Sequence, residues 1–443
     1  MRLPFSRIYS LLLVVPALAV AVHGDEPLDL AAIFKRTEAL NAGVLTGREA
    51  AVQAHAAADG QRAQLLPNIS LRAQQQRAEA LTVTKTVTTQ NPTASRFDGQ
   101  VNGTMNLLNL QQTTAYRSAR RGADAADADA EFTLQSVLAE AGNAYFSQLR
   151  NQTRDDVLAA DVDRARDLLT LAQKQLAAGI VTRIDVTRAE AQLAQARLAQ
   201  LQNETTTKQG AQKLLLTLDY DAMRPLSLKT TKLTPTLTKS SADVLSTREL
   251  VETQFFARRA DWRRTQRALE QARLDEQSAS YERAPSLALT GSYGVGAADF
   301  SGANREDEWA AGVAVTLPIF DGLKSSADRR AALSRRRVQE IKLHALENQI
   351  KAEIDAAEQD ANSRYQQIDV ARQNLRLAED ELRLARQRYE QGVADNREII
   401  DAQNQLALAN DNAIEAQYRF NLSRVELARA KGEVRDLLAE KTE

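Results

Sequence analysis

Residues 171–186 read LAQKQLAAGIVTRIDV, and residues 384–399, 213 positions further on, read LARQRYEQGVADNREI. Both stretches have a glycine at the ninth place and an acidic residue at the fifteenth. Upstream, LPNISL at 66–71 is echoed by APSLAL at 284–289. Self-similarity in the same order over this distance predicts two copies of one supersecondary unit.

Each copy contains two stretches that alternate with period two. In FDGQVNGTMNL at 97–107, every odd-numbered residue is apolar or glycine and every even-numbered one is polar. The alternation predicts strands at about 67–75, 97–108, 285–295 and 308–318. A soluble sheet packed on a core would alternate in the same way. Runs of about 9–11 residues, however, match the length of a tilted membrane-spanning strand.

The stretches after the strands predict very long helices. Residues 324–391 contain neither proline nor glycine, which allows a helix of roughly 100 Å. Residues 111–178 are similar and are interrupted only by Gly122 and Gly142. Their apolar residues are sparse and interspersed with alanine, which favours a coiled-coil seam over a globular core.

The N-terminus indicates export. Arg2 and Arg7 precede an apolar stretch from Leu11 to Val22, and polar sequence follows. This layout predicts a secretory signal peptide at 1–24. The predicted organisation continues with a first repeat at 25–220, turning near residue 179, and a second repeat at 247–443, turning near residue 392. Residues 221–246 between them form either small side decorations on the helices or a flexible linker.

Composition excludes several classes of function. There is no cysteine, and the three histidines share no ligand spacing, so thiolate chemistry and a histidine metal site are not expected. Hydrolase and phosphate-loop motifs are missing from the sequence. We therefore expect no enzyme activity, no cofactor and no metal. The net charge of −1, and arginine clusters without interleaved aromatics, argue against nucleic acid as a partner.

Together these motifs resemble those of the TolC family of outer-membrane efflux proteins. The resemblance is carried by LPNIS at 66–70, ARRAD at 257–261, LPIFDG at 317–322 and the two glycine turns. In LPIFDG, Pro318 and Gly322 mark the passage from strand to helix. The implied fold is mainly α with transmembrane β: a homotrimer in which each protomer gives four strands to a 12-stranded outer-membrane β-barrel and long helices to a periplasmic α-barrel. The implied partners are a periplasmic adaptor (membrane fusion) protein, an inner-membrane pump and outer-membrane lipid.

The resemblance also implies roles for the residues around the two glycine turns. The tips that dock the adaptor would be Gly179, Ile180 and Val181 with Gly392, Val393 and Ala394. Glu398 and Asp401, three apart on one helical face, would ring a periplasmic gate that Asp185 helps to hold closed. The arginine that the family places two residues after the second glycine is replaced here by Ala394, so Arg397 and Arg183 are candidate substitutes. The alternative for each residue is an ordinary turn or a solvated helix face.

Two questions stay open from the sequence. The arginine clusters at 117–121 and 329–337 follow the second strand of each copy, and they lie either near anionic lipid headgroups or on plain helix surface. The alternative for the whole chain is a periplasmic coiled-coil adaptor or scaffold without a membrane barrel. Such a protein would not need four alternating strands in two separate copies.

Overall fold

The computed structural model describes residues 27–78, 81–83, 88–90, 94–221, 223–228, 255–298, 305–391, 393 and 395–438. The predicted signal peptide and residues 229–246 of the predicted linker lie outside them. The elements are α1 (Leu30–Leu40), α2 (Ala42–Ala63), β1 (Asn68–Ala78), β2 (Leu81–Val83), β3 (Thr88–Gln90), β4 (Ala94–Leu108), α3 (Leu110–Ala177), α4 (Arg183–Thr217), α5 (Ala260–Ser280), β5 (Ser286–Ala297), β6 (Glu306–Thr316), α6 (Lys324–Glu390), α7 (Asn396–Lys431) and a 3-10 helix (Val434–Leu438).

One antiparallel sheet joins the two repeats. Its strand order is β1-β4-β5-β6, so the central pair sets a strand of the first copy against a strand of the second, with Val101 opposite Tyr293. The paired region between β1 and β4 is longer than the alternation predicts, since Ala78 is still opposite Ala94. Beyond it, β2 and β3 form a second small hairpin. The threonine- and valine-rich sequence there has high β propensity, which accounts for the extension.

The helices form two long antiparallel hairpins. α3 has 68 residues and α6 has 67, so each extends roughly 100 Å. α4 returns along α3, and α7 returns along α6. About half of the buried residues in the apolar clusters along the two hairpins are alanine, which allows the helices to approach closely: Ala165, Ala172, Ala189, Ala385, Ala402 and Ala409. Nearer the sheet, α3 packs against α2 and α5, and α5 packs against α6.

The largest apolar cluster lies midway, where α1 crosses α3 and the end of α7. Phe34, Leu138, Tyr145 and Val425 are buried there. Gly142 of α3 faces this cluster, and a Cβ at that position would be in ordinary van der Waals contact with the Phe34 ring and Val425, at 3.5 Å.

A buried ion cluster fixes the start of α5. Arg259, from the ARRAD motif, is 5% exposed in its side chain and donates to Asp261, to Glu353 of α6 and to the main-chain oxygen of Ala430. Burial alone would lower the pKa of Arg259, but the hydrogen bonds that it donates to Asp261 and Glu353, together with their negative charges, outweigh that and raise the pKa. The cluster ties three helices together at the level where the second repeat begins.

Within the residues that the structure describes, no helix is both long enough and apolar enough to cross a membrane. The predicted fold class is confirmed as a mainly helical chain with a four-stranded antiparallel sheet and an internal repeat.

Candidate functional site

The two faces of the sheet differ in polarity, except at the loop end, where Gln75, Arg77 and Asp307 fall on the otherwise apolar face. Residues directly opposite each other on neighbouring strands share a face, and Leu289 is opposite both Met105 and Val313. Followed across all four strands, this register collects one apolar face: Ile69, Leu71, Val101, Met105, Leu287, Leu289, Tyr293, Trp309, Val313 and Val315. The other face carries polar or small residues throughout: Ser70, Arg72, Gln74, Gln100, Asn102, Thr104, Thr290, Ser292, Ala310 and Gly312.

The apolar face is uncovered. Leu71 is 78% exposed and Trp309 is 76% exposed, and valines and an isoleucine of the same face are exposed as well. A continuous apolar surface of this kind marks a site that contacts a membrane or another protein. Trp309 and Tyr293 are directly opposite each other near the loop end of the strands. Aromatic side chains are typical of the boundary between lipid and water.

The sheet also has two free edges. Among the described strands, β1 pairs only with β4 and β6 pairs only with β5, so each leaves one row of main-chain groups without a described strand partner. At the loop end, Arg96 bridges Asp98 on its own strand and Glu308 on β6. Gly296 leaves room for this bridge, because a Cβ there would lie 3.0 Å from the Glu308 carboxylate. Gly294 instead allows the close approach of β4, because a Cβ there would overlap the main-chain oxygen of Gly99.

The junction between β6 and α6 has two successive residues in the left-handed region. Gly322 has φ +68° and Leu323 has φ +70°. Asp321 stabilises this turn, since it accepts from Arg283 and from the main-chain nitrogen of Ser325. The Arg283 hydrogen bond is the main reason that the pKa of Asp321 lies below its ordinary value. Pro318 and Gly322 thus lie at the predicted strand-to-helix passage.

The first hairpin tip has a defined turn. Gly179 has φ +73°, and the Ile180 nitrogen donates to the Gln175 oxygen at 2.9 Å, which closes α3 with a Schellman motif. α4 then begins with a capping box in which the Asp185 carboxylate accepts from the hydroxyl and main-chain nitrogen of Thr182. The Thr182 hydroxyl is the largest cause of the lowered pKa of Asp185. Ile180 is exposed and Val181 is partly exposed at this tip.

The second tip repeats the same closure. The Val393 nitrogen donates to the Arg388 oxygen at 2.9 Å, at the position equivalent to Ile180. Asp395 caps α7 by accepting from the nitrogens of Arg397 and Glu398. Val393 is exposed. The predicted tip residues Gly392 and Ala394 lie outside the described residues.

The predicted gate residues are placed as follows. Glu398 accepts a hydrogen bond from Arg388 at 2.8 Å, and Asp401 lies 3.8 Å from Arg397, one turn back on the same helix. Arg397 therefore contacts Asp401 and not Asp185. The other candidate substitute, Arg183, has no ion pair with any residue that the structure describes. Asp185 is paired with Arg188 of its own helix at 3.5 Å.

Two residues that the sequence reasoning missed connect the hairpins near the tips. Asn396 is 1% exposed, and its amide nitrogen donates to the main-chain oxygen of Asp185 at 2.8 Å. Tyr389 is 2% exposed and packs with Ala172, Val186 and Ile399. Burial, and then the nearby Asp185 carboxylate, raise the pKa of Tyr389. The sequence did contain a signal for the burial of Tyr389. It lies three residues before the second glycine, and the equivalent residue of the first repeat is the apolar Leu176.

Further from the tips, ion pairs connect α3 with α7. Arg154 donates to Asp411 at 2.7 Å, and Arg150 donates to Glu415 at 3.3 Å. These pairs, together with Gln192 bonded to Asn404 at 2.9 Å, join the first hairpin to the second along one line. The two hairpins are therefore held side by side by apolar packing near the tips and by these polar contacts further away. The described part of this arrangement contains no obvious catalytic constellation.

The comparisons with known proteins agree with this geometry. The profile of a family described as outer membrane efflux protein matches residues 42–218 and 253–433. The chain is 25% identical over 321 residues to the pyoverdine export outer membrane protein OpmQ, and 27% identical over 330 residues to the outer membrane protein OprJ, both of Pseudomonas aeruginosa. These alignments cover 72% and 73% of this chain, which spans 66% and 64% of the two relatives.

Solved structures of low sequence identity share the fold. The outer membrane protein VceC of Vibrio cholerae superposes with a TM-score of 0.79 at 18% identity, covering 91% of this chain and 96% of that one. The outer-membrane channel OprN gives a TM-score of 0.78 at 19% identity, covering 91% and 90%.

Proposed function

Because this chain belongs to the outer membrane efflux protein family, we propose that it is one protomer of a trimeric outer-membrane channel that exports solutes or proteins. A periplasmic adaptor docks on the helical tips and links the channel to an inner-membrane pump. The observation that carries the proposal is the sheet, with one exposed apolar face and one face of polar or small residues. The apolar face lies against lipid, and the other face lines the water-filled passage.

The free edges of the sheet support a trimer. Unpaired main-chain groups are too costly in lipid for an open sheet to remain there. Pairing of β6 with β1 of a neighbouring protomer removes both edges when three protomers close a ring of 12 strands. The long helices then continue the passage through the periplasm as an α-barrel.

The tips and the gate follow from the same arrangement. Ile180 and Val393 present exposed apolar side chains at the far end of the hairpins, where an adaptor has access to them. Glu398 and Asp401 lie one to two turns behind the second tip. In a trimer these six carboxylates surround a common axis, which supports their role as the periplasmic constriction.

Adjacent alanines in the middle of β6 test the proposed orientation of the sheet. Ala311 lies on the apolar face and Ala310 on the other, and both are exposed. Arginine facing lipid near the bilayer midplane costs about 2–4 kcal/mol. We therefore expect Ala311→Arg to reduce the amount of trimer in the outer membrane strongly, while Ala310→Arg leaves it near the normal level. The measurement is the trimer band in fractionated membranes.

The matched pair keeps substitution, strand and depth constant and changes only the face. Equal loss in both variants, or no loss in either, would contradict the lipid-facing assignment. A wild-type protein that is a monomer and stays in solution without detergent would contradict the channel itself and would favour the scaffold alternative.

A further inference from the structure

Basic residues are concentrated in the first turns of the two long helices, directly after the sheet. Residues 110–122 contain three arginines and no acidic residue, whereas the whole chain has a net charge of −1. Residues 323–338 contain five arginines, one lysine and one aspartate. That aspartate, Asp328, is already bonded to Lys324. Both repeats therefore have a surplus of positive charge at the start of the long helix that follows the sheet.

Most of these arginines have no partner in the described part of the chain. Arg121 pairs with Asp124 and Arg336 pairs with Glu276. The other six are exposed and form no ion pair with a described residue: Arg117, Arg120, Arg329, Arg330, Arg335 and Arg337. Concentrated like charges repel one another and destabilise the folded chain unless something negative compensates them.

Two exposed apolar residues lie between the lipid-facing strands and these arginines. Three and four residues past the end of β6, Ile319 is 88% exposed and Phe320 is 78% exposed. Trp309 and Phe320 are eleven residues apart in the sequence, so at most about 36 Å of chain separates them. With a strand tilt of about 40°, this corresponds to roughly 28 Å along the membrane normal, close to the height of the apolar band of an outer-membrane barrel. Phe320 thus marks the periplasmic boundary of the lipid.

The arginines follow at the depth of the headgroups. Arg329 and Arg330 lie six and seven residues past Leu323, which is roughly 10 Å further along the helix. Arg117 and Arg120 lie seven and ten residues past Leu110, which is roughly 10–15 Å. The polar layer of one leaflet is about 5–8 Å thick, and an extended arginine side chain can reach back to it.

Building on the proposed function, we propose that Arg117, Arg120, Arg329 and Arg330 form a collar that binds anionic phospholipid headgroups of the periplasmic leaflet. A guanidinium group matches a phosphate through two parallel hydrogen bonds. Ile319 and Phe320 hold the collar at this depth by inserting between the lipid chains. The collar fixes the height of the channel in the membrane.

A neighbouring protomer fits the collar less well than lipid does. By symmetry it would have to offer acidic residues from the same level. There, Asp275 accepts from Ser118, Glu276 is paired with Arg336, and Glu282 is bonded to Lys324. These carboxylates are already engaged, and Asp59 of α2, which is exposed and forms no ion pair with a described residue, is one charge against six free arginines. Most of the compensating charge therefore has to come from outside the protein.

The test measures lipid preference at the surface of the full-length trimer. The trimer is reconstituted in phosphatidylcholine vesicles that contain traces of spin-labelled phosphatidylglycerol or spin-labelled phosphatidylcholine. The fraction of motionally restricted label gives the preference for the anionic lipid. Each arginine near an anionic surface contributes roughly fivefold to such binding. We expect R117Q/R120Q and R329Q/R330Q each to lower the phosphatidylglycerol preference several-fold, and high salt to lower it in the wild type.

R197Q/R376Q is the matched control. Arg197 and Arg376 are exposed and form no ion pair with a described residue, and Arg376 lies roughly 80 Å beyond the start of α6. The control should keep the wild-type preference. An unchanged preference in both collar variants overturns the proposal. Loss of the trimer without a change in lipid preference also overturns it, because the arginines would then join protomers. Failure of the wild type to insert as a trimer is seen before any label is added, and overturns the proposed function as well.

Discussion

At the tip of the hairpins, the Asn396 amide donates to a main-chain oxygen and not to a carboxylate. The contact between the two hairpins therefore does not depend on the Asp185 side chain, which is engaged by Thr182 in the cap of α4. The family's arginine is replaced by Ala394 in this chain. We infer that the buried Asn396 performs the connecting role that the sequence reasoning sought in Arg397 or Arg183.

This assignment predicts different effects for two neighbouring substitutions. Asn396→Ala removes the bond between hairpins, and a buried hydrogen bond contributes about 1 kcal/mol, so the open-to-closed ratio of the channel should rise about fivefold. Asp185→Ala keeps the accepting main-chain oxygen and should raise the ratio less. Single-channel recording measures both. Gln192→Ala, which breaks the exposed bond to Asn404, is the control and should have little effect. If Asp185→Ala raises the open-to-closed ratio more than Asn396→Ala does, the Asp185 carboxylate, and not Asn396, connects the hairpins.

Glu398 and Asp401 predict that one substitution weakens cation block of the channel and another strengthens it. Unit charges about 6 Å apart interact by roughly 0.7 kcal/mol even in bulk-like water, so six carboxylates around one axis should favour cations and bind trivalent cations. Arg388 partly neutralises this ring by donating to Glu398. Glu398→Gln with Asp401→Asn should weaken block by a trivalent cation added from the periplasmic side, and Arg388→Gln should strengthen it. Planar bilayer recordings decide this. If block by the trivalent cation is unchanged in both variants, Glu398 and Asp401 are ordinary residues of the helix surface.

Residue roles were harder to predict than positions. The duplicated motif placed a turn at Gly179 because a glycine between two long helical stretches suits a sharp reversal that needs positive φ. Asn396 carried no such signal, since an asparagine in the first turn of a helix is usually a solvated residue. Its burial depends on how α7 lies against α4, which is a tertiary fact. The partners of Arg397 and Glu398 were unpredictable for the same reason.

At the scale of elements, the described parts of the two tips close the preceding helix with the same hydrogen bond. Ile180 and Val393 are each held by a bond to the oxygen five residues earlier, and both distances are 2.9 Å. Gly179 has the positive φ that this closure needs. β-branched residues adopt that conformation only at a cost of about 1–3 kcal/mol, so a substitution there would reshape the turn without disturbing the helices behind it.

We therefore predict that Gly179→Val and Gly392→Val each reduce cross-linking of the channel to its adaptor in cells that carry the whole export system. The trimer should remain in the outer membrane at normal abundance. Gly60→Val is the control, because Gly60 lies inside α2 with ordinary helical φ and open space where a Cβ would lie. Normal cross-linking in both tip variants would place docking elsewhere.

Elements were the most predictable level of this fold. The period-two stretches predicted the four strands because one face is apolar over most of their length. The long proline-free stretches, with no glycine or only two, predicted α6 and α3. The β2–β3 hairpin was not predicted, since a threonine-rich segment between strands reads equally well as a loop. The pairing of β4 with β5 was also not available from the sequence, because it joins residues almost 200 positions apart.

At the scale of the whole molecule, α4 and α6, the outer helices of the two hairpins, each expose a stripe of apolar side chains. α6 exposes Val370, Leu377 and Leu384, seven residues apart. On α4, Ile184, Leu198 and Leu201 are exposed. Leu201 lies 22 residues from Gly179, and Val370 lies 22 residues from Gly392, so the two stripes match in height above the tips. In a closed ring of three protomers, α6 of one would lie beside α4 of the next.

This geometry predicts where the trimer can be broken without touching the sheet. Each apolar side chain buried in such a seam contributes about 1.5–3 kcal/mol, and an aspartate there adds an unpaired buried charge. Val370→Asp with Leu377→Asp should therefore convert detergent-extracted trimer largely to monomer in native gels. Asn362→Asp with Gln387→Asp, exposed on α6 but about a quarter turn away from the stripe, should leave the trimer intact. A trimer that survives the first pair would mean that the strand edges alone hold the protomers together and that the stripe faces another partner, whereas dissociation by both pairs would point to a contact much broader than one coiled-coil seam.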